Sequence, residues 1–152
     1  MGNDKSQGFY NNLVNKLGLT SIAKILAPVK YEDVPKVVSD FDVALAYVPD
    51  QPADWQYQPT LKVLEYRAIG MPIIATDNKP NAELIEDGVN GILIQNSVEG
   101  LTEGMLYFMK NPEVLKHFKA NAIKMRKGKT WSQVAEMYEQ RVYYKACKQS
   151  VK

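Results

Sequence analysis

Three short apolar runs constrain this chain more than any other feature: Asp42 to Tyr47 (DVALAY), Pro72 to Thr76 (PIIAT) and Gly91 to Ile94 (GILI). A strand with one wet face alternates apolar and polar side chains. A run without that alternation belongs to a strand buried on both faces, the condition of a parallel sheet covered by helices. Each run is followed by residues at helical spacing, and a fourth run, Ile22 to Ala27 (IAKILA), reads as a further short strand. The fold class expected is therefore α/β, a doubly wound parallel sheet with a helical C-terminus.

Between the runs the helix signals are local. Leu13 and Leu17 stand four apart before Gly18, and Glu32-Asp33-Val34-Pro35 places acids and proline where a first turn favours them. Thr60 to Ile69 is expected to be a helix stopped by Gly70, and residues around Asn81 to Glu86 a short one. Asn96 and Glu99 can form a capping box ahead of Leu101, Met105, Phe108 and Met109, which share a face. Asn111-Pro112-Glu113 opens a helix with the stripe Leu115, Phe118, Ala122 and Met125. Trp131, Val134, Ala135, Tyr138 and Val142 mark the last helix. These Met and aromatic positions are expected to be core.

Composition excludes several function classes. In 152 residues there is one cysteine, Cys147, and one histidine, His117. A disulfide scaffold, a zinc site and a Ser-His-Asp hydrolase lose their chemistry with them, and neither a metal nor a cofactor is expected. His117 falls off the apolar stripe of its helix and reads as a surface residue. The N-terminus is polar and no apolar run approaches the ~20 residues that span a bilayer, so a cytoplasmic chain is expected. Charge is uneven: from Val114 onward ten basic residues face two acidic ones, although the whole chain is only +2. That excess suits an anionic membrane, met peripherally through Lys124, Arg126, Lys127 and Lys129, a nucleic acid, an acidic partner, or simply solvent. Few aromatics interleave with these cations, so no nucleic acid is expected.

Ligands of doubly wound sheets sit at the carboxyl ends of the strands. Four loops qualify: Pro28 to Tyr31, Val48 to Pro59, Asp77 to Asn81 and Gln95 to Ser97. The second is long for a strand-to-helix connection. The helix after it offers free N–H groups near Thr60 and Leu61 to a phosphate, and Lys62 adds a cation where the helix dipole disfavours one. Glu65 falls on the stripe of Leu61, Leu64 and Ala68; if buried there, it has either a ligand's hydroxyls or a salt bridge, for instance to Arg67.

From Pro35 to Tyr138 the chain resembles the C-terminal, donor-binding half of the group-1, GT-B glycosyltransferases, retaining sugar-nucleotide enzymes. The resemblance is carried by DVALA (42–46), KVLEYRAIGMPIIAT (62–76) and NAELIEDGVNGILI (81–94), in this order and spacing. It implies a Rossmann-like half-enzyme that takes a nucleoside-diphosphate sugar and passes the sugar to a glycan or lipid-linked acceptor. It further implies a donor site of Glu65 on the ribose, Thr60, Leu61 and Lys62 at the diphosphate, Tyr57 and Gln58 beside them, and Val29 and Lys30 toward the base. Tyr57 stands where the family's first glutamate is usual, and Lys79-Pro80 replaces its glycine pair. Aligned this way, residues 1–152 form a partial nucleotide-sugar-binding domain. Two strands and the acceptor-binding N-terminal domain would lie outside it, and this chain alone would be inactive. A non-catalytic module binding a nucleotide sugar or a partner is the alternative. A phospho-receiver is the third and least favoured reading, because Lys79-Pro80 follows Thr76 almost at once.

Overall fold

The computed structural model describes residues 8–49, 56–57, 60–126 and 131–139. The chain divides into two compact units, residues 1–38 and 39–152.

The second unit holds the sheet. Strands β1 (Ala44–Ala46), β2 (Ile73–Thr76) and β3 (Gly91–Ile94) pair in parallel in the order β1-β2-β3. Ala44, Leu45 and Ala46 lie opposite Ile73, Ile74 and Ala75, and Ile73 to Thr76 lie opposite Gly91 to Ile94. All four residues of β2 are buried, as the absence of polar alternation requires. Helices α3 (Leu61–Ile69), α4 (Lys79–Ala82), α5 (Val98–Lys110) and α6 (Pro112–Lys124) connect and cover the strands. A helix α7 (Trp131–Tyr138) follows. Three parallel strands in sequence order, each joined through a helix, make one flank of a doubly wound sheet.

The core sits between the sheet and α5–α6. Ile74, Ile94, Phe108 and Phe118 form its centre, with the Phe108 and Phe118 rings edge to face at 5.0 Å. Gly104 lets α5 approach: a Cβ there would stand 3.0 to 3.3 Å from side-chain carbons of Ile94, Ile74 and Ile92. Gly70 ends α3 in the left-handed region at φ 86°, with its N–H on the carbonyls of Tyr66 and Arg67.

The two outer strands end differently. At β3 the turn after α4 folds back: Gly88 N–H donates to Gly91 O at 2.9 Å, and Leu93 N–H donates to Asp87 Oδ1 at 2.8 Å. Among the described residues β1 has no strand on its outer side.

The first unit contains α1 (Phe9–Lys16), a 3-10 turn (Tyr31–Asp33) and α2 (Val34–Ser39), which runs into the second unit. Residues 22–27, expected as a strand, form none; Ile22 is 80% exposed. An apolar run becomes a strand only where another strand takes its N–H and C=O groups, and none is paired with this one.

Other expectations need local correction. The α5 cap is Ser97, whose Oγ accepts the Gly100 N–H at 2.9 Å, not the Asn96–Glu99 box. The short helix lies at Lys79–Ala82, earlier than residues 81–86, because Asn78 caps it through the Asn81 N–H. Met105 and Met109 are exposed, Met109 at 74%, since Gly100, Gly104 and Phe108 form the buried face of α5. On α6, Phe118 and Ala122 are buried, with Leu115 and Met125 half-buried. Val142 and Cys147 lie outside the described residues.

Candidate donor site at the carboxyl end of the sheet

The carboxyl end of β2 leads within three residues into α4, and that of β1 leads through the long segment 47–60 into α3. Thr60 precedes α3 in extended backbone and makes no side-chain cap. The Val63 N–H reaches the Thr60 carbonyl at 3.1 Å, and the amides of Leu61 and Lys62 have no acceptor among the described residues. Thr60 Oγ1 is buried and has no hydrogen-bond partner there. The start of α3 therefore offers two free N–H groups at the positive end of a helix of nine residues, with the exposed Lys62 on the same turn.

Glu65 is placed differently from the expectation. Leu61 is 73% exposed and Leu64 and Ala68 are exposed too; the buried residue of α3 is Val63. The stripe is thus turned, and Glu65 is half-buried on the helix flank instead of facing the core. The salt bridge considered with Arg67 does not form: among the described residues neither takes part in an ion pair, and Arg67 Nε is buried without a partner. Glu65 acts instead on its neighbour. Burial first, and the Glu65 charge second, hold the Tyr66 phenol above the ordinary tyrosine range.

A pocket of about 340 Å³ opens between α3 and α4, lined by Tyr57, Leu64, Lys79, Pro80, Glu83 and Leu84. It offers an aromatic ring, an ammonium, a carboxylate and apolar walls. Lys79 and Glu83 form no ion pair with each other among the described residues.

Of the expected site residues, Tyr57 lines this pocket; Thr60, Leu61, Lys62 and Glu65 lie on α3 or its cap without lining it. Gln58 lies outside the described residues. Val29 and Lys30 belong to the first unit, where Lys30 is the exposed, extended residue before the 3-10 turn. The far wall, Lys79, Pro80, Glu83 and Leu84, is not among the residues read from sequence. Its signal was the loop of residues 77–81 at the carboxyl end of a strand. Among the described residues no group of three His, Cys, Asp or Glu could hold a metal, and no helix is long and apolar enough to cross a membrane. His117 is exposed, its Nδ1 donating to the Glu113 carbonyl at 2.8 Å.

This architecture is that of GT-B enzymes. Sucrose-phosphate synthase from Thermosynechococcus elongatus superposes with a TM-score of 0.64 at 16% identity, over 92% of this chain and 35% of its own. HepE of Anabaena, solved in complex with UDP, gives 0.62 at 19% identity, over 90% of this chain and 38% of its own. The chain thus spans little more than a third of either protein, and at these identities the likeness establishes the fold. Among curated proteins none matches it in sequence. The sequence match to glycosyl transferases group 1 covers residues 1–125, starting upstream of the stretch that carries the motifs. The chain belongs to the group 1 glycosyl transferases.

Proposed function

We propose that this chain is the donor-binding portion of an enzyme that transfers a sugar, of hexose type, from a nucleoside-diphosphate sugar with retention of configuration. The observation that carries this reading is the start of α3: two unpaired amides, Lys62 and Glu65 on one short stretch, beside the pocket that holds Tyr57. The amides of Leu61 and Lys62, with the Lys62 ammonium, suit a diphosphate, whose charge grows as the sugar leaves. Glu65, half-buried and in no ion pair among the described residues, can accept hydrogen bonds from ribose hydroxyls. The sugar lies against Tyr57, Lys79 and Glu83. HepE is described with UDP, which makes a uridine nucleotide the first probe. The acceptor, a glycan or a lipid-linked chain, belongs to an N-terminal domain beyond this sequence, so residues 1–152 alone turn over no substrate. The excess of basic residues from Val114 onward, of which Lys127 and Lys129 lie outside the described residues, suits anionic lipid.

Thermal unfolding with UDP, GDP, ADP and their sugar conjugates tests the donor site. A ligand that binds only the folded chain raises the midpoint, by about 2.7 kcal/mol of stability at a hundred times its Kd. One nucleotide is expected to shift the midpoint, and Glu65→Ala to abolish that shift. Cooperative melting with no shift for any nucleotide would remove the reading. Tyr57, a phenol where the family places an acid, favours a second reading, a nucleotide-sugar-binding module without catalysis. Transfer activity in a longer chain that includes an acceptor domain separates the two.

A further inference from the structure

The two walls of the pocket come from different stretches of chain, Tyr57 from the segment after β1 and Lys79, Pro80 and Glu83 from α4 and its cap. Both stretches are tied to one residue, Thr76, the last residue of β2. Its hydroxyl oxygen accepts the Val48 N–H at 2.8 Å, and its carbonyl accepts Asn81 Nδ2 at 2.8 Å. The tie continues on each side. Gln56 Nε2 donates to the Pro49 carbonyl at 2.9 Å, which closes the segment onto itself next to Tyr57. The Asn81 N–H donates to Asn78 Oδ1 at 3.0 Å, which fixes the start of α4.

These bonds are not what strand stability alone would choose. Thr76 and Asn81 are each 1% exposed. A valine fills the volume of Thr76 and suits a strand as well, but it leaves the buried Val48 N–H without its acceptor. A buried asparagine in a helix is costly, and Asn81 Oδ1 has no partner among the described residues. Polar groups held at such cost define a geometry. We propose that Thr76, with Asn81, is the positioning residue of the pocket, setting the separation of its two walls. The ligand's identity rests on the function proposed above; the geometry does not.

Two measurements made without nucleotide test this. In the native chain, amide exchange followed by NMR reads the Val48 N–H directly. It is expected to exchange as slowly as the amides of β2, to within about ten-fold. In a Cys147→Ser background, spin labels on Tyr57→Cys and Glu83→Cys report the distance between the walls. A narrow distribution is expected, broadened by Thr76→Val and by Asn81→Ala and kept narrow by Thr76→Ser. A Val48 amide that exchanges as fast as exposed loop amides overturns the proposal. So does an unchanged distance distribution in Thr76→Val and Asn81→Ala, even if their melting points fall. Should Thr76→Val not fold, the native exchange rate decides. Since no nucleotide enters either arm, a missing nucleotide shift refutes donor binding and leaves this proposal standing, and the reverse holds too.

Discussion

Residues 8–38 and 39–126 both carry apolar runs, yet they meet different ends. In the second stretch Ile73, Ile74, Ile94, Phe108 and Phe118 are buried around a sheet. In the first, Phe9, Tyr10, Leu13, Leu17, Ile22, Ile25 and Leu26 are exposed, and Val38 is the hydrophobic residue of that stretch that is buried. The difference lies in partners for the backbone, since hydrophobicity is present in both. β1, β2 and β3 pair through their facing peptide groups, and the connections between them, residues 47–72 and 77–90, are long enough to close the crossovers. Residues 22–27 have side chains fit for a strand and, among the described residues, no strand paired with them.

The comparison can be broken most forcefully in the core. Phe118→Ala is expected to cost about 3–5 kcal/mol, and Ile22→Ala to stay within about 0.5 kcal/mol, both by urea denaturation. Equal losses would show that residues 8–38 bury as much as the sheet does. Next, Gly104→Val forces α5 away from Ile74 and Ile94 and is expected to cost about 1–3 kcal/mol, seen as a lower urea midpoint. Ser97→Ala removes the α5 cap at about 1 kcal/mol, while Asn96→Ala, off the cap, leaves the midpoint nearly unchanged.

The smallest expected effect sharpens the comparison at the site. Tyr66 has its pKa raised in the folded chain, so the stability gained by keeping it neutral is intact below the ordinary value of 10.0. That stability is lost as pH rises through the higher folded value. Urea midpoints between about pH 9 and 11 are expected to fall less steeply in Tyr66→Phe than in the native chain. Glu65→Gln is expected to restore only the smaller part of the shift, since burial is the larger cause.

What could be read in advance follows from how local each cause is. Gly70 as a helix stop and the strand at 91–94 depend on a few neighbouring residues, and both appear as read. The buried face of α3 does not. Leu61, Leu64 and Ala68 have the spacing of a core stripe, but Leu64 lines the pocket and Val63 packs inside. An apolar residue facing a ligand cleft looks, in sequence, like one facing the core. On α5, Met105 and Met109 share helical spacing with the buried Phe108, yet they lie on the exposed side. In the site, the free amides before Val63 were legible because a helix start is local. Lys79 and Glu83 were not, because which loop reaches across to Tyr57 is settled by tertiary structure. Thr76 was read only as the end of a strand; its hydrogen bond to Val48 spans 28 residues.

The unequal edges of the sheet give it a direction. At β3, Asp87 occupies the Leu93 N–H and leaves a carboxylate where another strand would have to approach. At β1, among the described residues, no strand pairs with the outer backbone groups. Among the described residues the border beside Ala44–Ala46 is thus the one left without such a guard.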